Sequence, residues 1–115
     1  MISESEKNGE LFVLRDQLRG FADARGWQNF HTPKNLAMAL IVEAAELVEH
    51  FQWATPEESR ILSPEKVAAV RDEVADVLIY LVEIADVLGI DLIKAAQEKI
   101  IKNARKYPPL DSSIG

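Results

Sequence analysis

Two pairs of acidic residues in apolar surroundings are the feature of this sequence most able to do chemistry. Glu43 and Glu46 follow directly on an apolar run that ends at Val42, and Glu73 and Asp76 lie within a second apolar stretch. Residues three apart lie on the same face of a helix, so each pair directs two carboxylates the same way. Carboxylates that are partly withdrawn from water repel one another unless a cation offsets the repulsion. The pattern therefore predicts a cation held between two helices.

The type of donor narrows the choice of cation. Four carboxylates brought together by two antiparallel helices make an all-oxygen site, which suits Mg²⁺, or Mn²⁺ in its place. The sequence has no cysteine, so a thiolate site is excluded. A di-iron carboxylate site requires Glu-x-x-His on two helices, and neither His31 nor His50 has a glutamate three residues before it.

A simpler explanation of these acids stays open at this point. Most glutamates lie on the solvated face of an ordinary amphipathic helix, and either pair alone fits that description. Two pairs that are each embedded among apolar neighbours fit it less well. Glu49 continues the row of Glu43 and Glu46, and it is a candidate for a further ligand, for the group that orients an attacking water, or for a solvated side chain.

Aromatic residues near the acids provide a surface for a planar base. Tyr80 follows Asp76 by one helical turn, Trp53 follows the first acidic pair, and Trp27 and His31 precede it. Aromatic rings stack on bases, and a histidine can hydrogen-bond to a base edge. Each of these side chains taken alone is also an ordinary core residue, so both interpretations remain.

A basic stripe near the C-terminus is the natural counterpart of a phosphate group. Lys99, Lys102 and Lys106 recur at helical spacing, with Asn103 and Arg105 beside them. Such a stripe can hold the outer phosphates of a nucleotide. Alternatively, it complements the dipole at the end of a solvated helix.

Composition limits the class of protein. With 115 residues and 48% hydrophobic content, we expect one folded domain over residues 1–115. The net charge of −6 disfavours nucleic acid or an anionic membrane as a partner. Residues 1–10 are polar and resemble neither a secretory signal nor a membrane anchor. No apolar run approaches the ~20 residues of a spanning helix. Together with the absence of cysteine, these features predict a cytoplasmic protein.

Four main helices must position the candidate residues. Apolar periodicity and end signals predict helices over about residues 9–25, 33–51, 64–88 and 92–105, with a short helical turn after Thr55 and a loop over 26–31. No segment shows strand alternation, so the expected fold is all-α. We expect residues 1–8 and 110–115 to be flexible. Because the second helix is apolar nearly all round, self-association is also expected.

These residues, in this order, resemble the all-α nucleoside triphosphate pyrophosphohydrolases of the MazG-like group. That group carries Glu-x-x-Glu, a spacer and Glu-x-x-Asp, matched here by residues 43–46 and 73–76. Within it, residues 21–108 are most similar to dCTP pyrophosphatase. The similarity rests on Gly26–His31, Pro33–Leu36, Glu43–Glu49, Phe51–Trp53, Asp72–Leu81 and Asn103–Pro108. One departure is Ala44-Ala45, where relatives often have a glycine.

The resemblance implies a role for each candidate residue. It implies that Glu43, Glu46, Glu73 and Asp76 bind Mg²⁺, that Trp27, His31, Trp53 and Tyr80 line a base pocket, and that Lys99, Lys102, Asn103, Arg105 and Lys106 contact the triphosphate. It also implies a dimer or a dimer of dimers, that is a homotetramer, with sites between subunits. The expected reaction is attack of a water on the α-phosphate of dCTP or a modified dCTP, which releases pyrophosphate.

Three alternatives remain at the level of the sequence. A broad-specificity triphosphate sanitiser would use the same residues on many bases. A noncatalytic helical interaction module would use the same amphipathic faces, although it has no need of four acids among apolar residues. A metal-binding protein without hydrolysis would be stabilised by Mg²⁺ and turn over nothing.

Overall fold

The computed structural model describes residues 9–110, which form five α-helices and one 3-10 turn and contain no β-strand. The elements are α1 (Glu10–Ala24), the 3-10 turn (Gln28–Phe30), α2 (Pro33–Glu49), α3 (Pro56–Ser59), α4 (Pro64–Leu88) and α5 (Leu92–Lys106). The all-α prediction is confirmed for this part of the chain. The expected flexibility of residues 1–8 and 111–115 lies outside the described residues.

Four of the five α-helices within residues 9–110 start at a side-chain cap. The side chains of Thr32, Thr55, Ser63 and Asp91 each accept a hydrogen bond from the backbone N–H three residues later. At Thr55 the interaction is reciprocal, because the Glu58 carboxylate accepts the Thr55 N–H at 3.1 Å. These caps fix where the helices begin.

The predicted end of α4 agrees with the structure, whereas the predicted end of α2 and the predicted loop before α2 differ from it. Gly89 ends α4 with φ of 68°, a left-handed conformation that glycine adopts without strain. Residues 28–30, expected to be loop, form the 3-10 turn, and the Asn35 side-chain amide donates to the Phe30 carbonyl oxygen at 2.9 Å. The second helix ends at Glu49, two residues earlier than expected, and continues as turns.

Helix α4 is the centre of the packing. It lies along α2 over much of its length and packs more briefly against α1, whereas α5 makes only sparse contacts with the rest of the described chain. A partly buried ion pair supports the contact with α1, because Arg19 Nε donates to Asp86 Oδ2 at 2.8 Å. The Arg19 guanidinium lowers the pKa of Asp86, which keeps the pair charged.

The chain has little interior of its own. The buried hydrophobic side chains of residues 9–110 are Ala22, Leu36, Val82 and Ala85. The radius of gyration is 18.0 Å, compared with about 13 Å for a compact domain of ~100 residues. On α2, Ile41, Val42 and Val48 remain 65%, 55% and 58% exposed. The apolar second helix noted in the sequence therefore presents one face that the rest of residues 9–110 leaves uncovered.

None of the helices within residues 9–110 has both the length and the apolar composition needed to cross a membrane.

Candidate metal and substrate site

Three carboxylates from two helices converge at one point. Glu43 on α2 and Glu73 and Asp76 on α4 each offer an oxygen atom, and these three atoms all lie within 4.8 Å of one another. The side-by-side packing of α2 and α4 creates this arrangement, since the acids face the neighbouring helix. All three side chains are partly buried. We call Glu43, Glu73 and Asp76 the acidic cluster.

The electrostatics of the acidic cluster call for a cation. Within residues 9–110, no hydrogen-bond partner reaches the buried Oε2 atoms of Glu43 and Glu73. Burial raises the pKa of both glutamates, and the neighbouring carboxyl group of Glu46 raises both further. Buried acceptors without donors are costly, and a hard divalent cation is the partner that such oxygens bind well. The donor set therefore fits Mg²⁺ or Mn²⁺.

The other two predicted acids, Glu46 and Glu49, differ in whether they adjoin the acidic cluster. Glu46 adjoins both Glu43 and Glu73, since its carboxyl group acts on the pKa of each. Three of the four predicted ligands thus form the close group, and the fourth lies beside it. Glu49 is the last residue of α2 and is exposed, and the structure does not bring it into the acidic cluster.

A histidine that the sequence reasoning missed lies next to the acidic cluster. His50 Nε2 is 3.9 Å from Glu73 Oε1, and the two side chains are only 21% and 20% exposed. In the sequence, His50 bears only on the exclusion of a di-iron site. Its position seven residues after Glu43 and four after Glu46 puts it on the same side of the chain, and that spacing is the one signal of it in the sequence.

Tyr80 lies beside the acidic cluster, one turn further along α4. Burial raises the pKa of its hydroxyl group, and the negative charges of Glu43, Glu83 and Asp76 raise it further. Along α4, Tyr80 therefore lies after Asp76 of the acidic cluster and before Glu83. This position suits a ring that would contact a base whose phosphates lie at a metal.

The aromatic residues predicted to line a base pocket differ in whether they contact one another. Trp27 and His31 are neighbours, with ring centroids 6.3 Å apart, and Phe21 meets Trp27 edge to face at 5.6 Å. Trp53, in contrast, is 90% exposed. The structure brings Trp27 and His31 together and leaves Trp53 extended into solvent.

A small cavity lies between α1 and α4, next to His31. Its volume is about 120 Å³, and Leu18, Ala22, His31, Val82 and Glu83 are among the residues that line it. Burial raises the pKa of Glu83, while His31 acts in the opposite direction. Glu83 was also missed by the sequence reasoning, although it lies three residues after Tyr80 within an apolar stretch.

The basic residues are not assembled with the acids in this chain. Helix α5 is exposed from Ile93 to its end and contacts the other helices only sparsely. The residues that it carries include all the predicted phosphate ligands, namely Lys99, Lys102, Asn103, Arg105 and Lys106. Within residues 9–110, the site therefore has acids and aromatic rings but no basic side chain from α5 against the acidic cluster.

The chain is similar to a known protein family, to curated relatives and to a solved structure. The model of the MazG-like family matches residues 38–113. Over 90 residues the chain is 46% identical to dCTP pyrophosphatase 1 of Homo sapiens and 44% identical to that of Bos taurus. Each alignment covers 76% of this chain and 53% of the relative, so the chain spans about half the length of these proteins. The crystal structure of a pyrophosphatase from Archaeoglobus fulgidus is 46% identical, with a TM-score of 0.81 over 86% of this chain and 93% of that one.

Proposed function

The chain belongs to the MazG-like family, and from that premise we propose that it hydrolyses a nucleoside triphosphate to the monophosphate and pyrophosphate. The observation that carries the proposal is the acidic cluster, whose buried glutamate oxygens lack hydrogen-bond partners within residues 9–110. Relatives named dCTP pyrophosphatase 1 and a structural neighbour named a pyrophosphatase support the same reaction. We propose dCTP or a modified dCTP as the substrate.

Each residue of the site has a part in this proposal. Glu43, Glu46, Glu73 and Asp76 would hold Mg²⁺, which when bound would polarise the α-phosphate and activate a water. Glu49 would orient the attacking water from the end of α2. The base would lie against Trp27, His31, Trp53 and Tyr80. Lys99, Lys102, Asn103, Arg105 and Lys106 would bind the outer phosphates.

Resolving the products is the experiment that tests the reaction. Incubation with dCTP and Mg²⁺ is expected to give dCMP and pyrophosphate in equal amounts. A chelator should stop the reaction, because the attacking water is proposed to be activated by Mg²⁺. Release of orthophosphate and dCDP would contradict the assignment. A panel of common and methylated triphosphates then distinguishes a dCTP enzyme from a broad sanitiser, which would hydrolyse most of them at similar rates.

We also propose that the chain functions as a homo-oligomer, a dimer or a dimer of dimers. Support comes from the small interior, from the exposed face of α2 and from the sparse contacts of α5. Burying such apolar side chains against a second copy gains about 25 cal/mol for each Å² removed from water, which offsets the entropy cost of association. A neighbouring copy would also be able to supply the basic residues of α5 to the acidic cluster.

Substituting Ile41→Glu should shift the protein to a smaller assembly, because a charge would have to be buried in the apolar interface. Light scattering after size-exclusion chromatography measures the mass directly. Lys34→Gln is the matched control, since it changes the charge by the same amount at an exposed position at the start of the same helix. An unchanged mass in Ile41→Glu would exclude this face as the interface.

A further inference from the structure

Glu83 is a partly buried carboxylate that the proposed metal chemistry does not use. It lies on α4 between Tyr80 and the ion pair of Asp86 with Arg19, and it lines the cavity next to His31. Within residues 9–110, its buried Oε2 atom has no hydrogen-bond partner. A carboxylate oxygen withdrawn from water without a donor is costly, so a ligand that donates to it would bind with an advantage.

The neighbouring arginines do not satisfy this oxygen. Arg19 directs its guanidinium group to Asp86 on α4, and Arg15 donates both of its hydrogen bonds to Asp16 at 3.1 Å. His31 lines the same cavity as Glu83 and is the side chain that acts to lower the pKa of Glu83. Glu83 and His31 therefore both line a space whose other walls include Leu18, Ala22 and Val82.

The position of Glu83 and His31 relative to the acidic cluster determines which part of a bound nucleotide could reach them. Along α4, Tyr80 lies one turn after Asp76 of the acidic cluster and one turn before Glu83. Trp27 lies against His31. A nucleotide with its phosphates at the acidic cluster and its base beside Tyr80 and Trp27 would direct the edge of that base towards Glu83 and His31.

We propose that Glu83 accepts a hydrogen bond from the exocyclic amino group of a pyrimidine base, and so selects amino over oxo pyrimidine nucleotides. The inference rests on the proposed function and adds the residue that reads the base. An ionised carboxylate only accepts hydrogen bonds. An amino group at ring position 4 supplies the donor, whereas an oxo group there places a second acceptor against the carboxylate. Sites that hydrogen-bond a substrate N–H discriminate strongly against analogues without it.

The test compares kcat/KM for dCTP and dUTP in the wild type, in Glu83→Gln and in Glu65→Gln. Glu65→Gln is the matched control, because it removes the same charge at an exposed position at the start of the same helix. Since burial raises the pKa of Glu83, the assays are run at mildly alkaline pH, which favours the carboxylate. A glutamine can donate to an oxo group, so Glu83→Gln is expected to lower the dCTP-to-dUTP ratio about tenfold. Glu65→Gln should keep the wild-type ratio.

The outcomes separate this inference from the proposed function. Two results would overturn the role of Glu83 while the reaction stands. One is an equal kcat/KM for dCTP and dUTP in the wild type. The other is an unchanged dCTP-to-dUTP ratio in Glu83→Gln, including the case in which both substrates lose activity equally. Hydrolysis of neither would refute the proposed function together with the inference.

A comparison in the wild type needs no variant and decides the matter if Glu83→Gln does not fold. The triphosphate of 2-pyrimidinone deoxyribonucleoside is dCTP without its amino group, and its kcat/KM should be about tenfold lower than that of dCTP. Equal values for the two would overturn the proposal.

Discussion

Replacing Asp76 with asparagine is expected to lower kcat/KM for triphosphate hydrolysis by about a thousandfold while the protein stays folded. The substitution keeps the size of the side chain and removes one charge from the acidic cluster. A thousandfold loss corresponds to about 4 kcal/mol of transition-state stabilisation, which is the scale of a metal ion's contribution. Measuring initial rates at several Mg²⁺ concentrations gives the effect, and helical circular dichroism checks the fold.

Asp72→Asn serves as the control for this substitution. Asp72 lies on the same helix and is exposed, so the same chemical change should leave the rate nearly unaltered. Full activity in Asp76→Asn would contradict the proposed metal site. If the chain were a noncatalytic interaction module, neither substitution would matter for partner binding, and no Mg²⁺-dependent hydrolysis would be seen in the wild type.

The second large effect concerns stability without metal. Burial and neighbouring carboxyl groups raise the pKa of Glu43 and Glu73, so the folded state holds these protons more tightly than the unfolded state does. The protein without metal should therefore lose stability as pH rises from about 4.3, the ordinary value for glutamate, through the raised values in the folded protein. Above that window the loss is complete. Thermal unfolding in the presence of a chelator, scanned across pH, measures it.

Mg²⁺ should reverse this loss, with the largest effect at the alkaline end of the scan. A cation that binds only the folded state stabilises it by about 2.7 kcal/mol when present at 100 times its dissociation constant. Asp76→Asn should be more stable than the wild type in chelator, because repulsion is relieved, and should gain little from Mg²⁺. A melting temperature of the wild type that is the same with Mg²⁺ and with chelator would be incompatible with the acidic cluster as a cation site.

Much of the fold could be predicted because its signals are local. Thr32, Thr55, Ser63 and Asp91 act within one helical turn of themselves, and the structure has helices starting at all four. Gly89 also acts locally, through its left-handed backbone. The family membership indicated by the resemblance is confirmed. The predicted C-terminal end of α2 was two residues too late, because no residue comparable to Gly89 marks where this helix ends.

Features that depend on contacts between helices were harder to predict. The convergence of Glu43 with Glu73 and Asp76 followed from two local spacings and one assumption, that the two helices are neighbours. His50 and Glu83 carry no motif, and they become candidates only through what lies across from them on another element. Their spacing from Glu46 and Tyr80 was available in the sequence, but spacing alone does not separate a site residue from a solvated one.

The position of α5 illustrates a different limit. Its basic stripe is evident in the sequence, yet the described chain provides no surface that the helix covers closely. Whether those residues act on phosphates depends on what a second copy brings near them. That information is carried by an assembly and by no single segment, so the roles of Lys99 and Lys102 stay predictions.

The most direct test of the account is to locate a divalent cation in a crystal of the protein grown with Mn²⁺. Anomalous scattering identifies Mn²⁺ without reference to the surrounding geometry. The account predicts a peak bound by carboxylate oxygens of Glu43, Glu73 and Asp76, at the roughly 2.0–2.2 Å typical of small divalent cations. A crystal in which Mn²⁺ occupies other positions, while these three side chains point away from one another into solvent, would contradict the central claim.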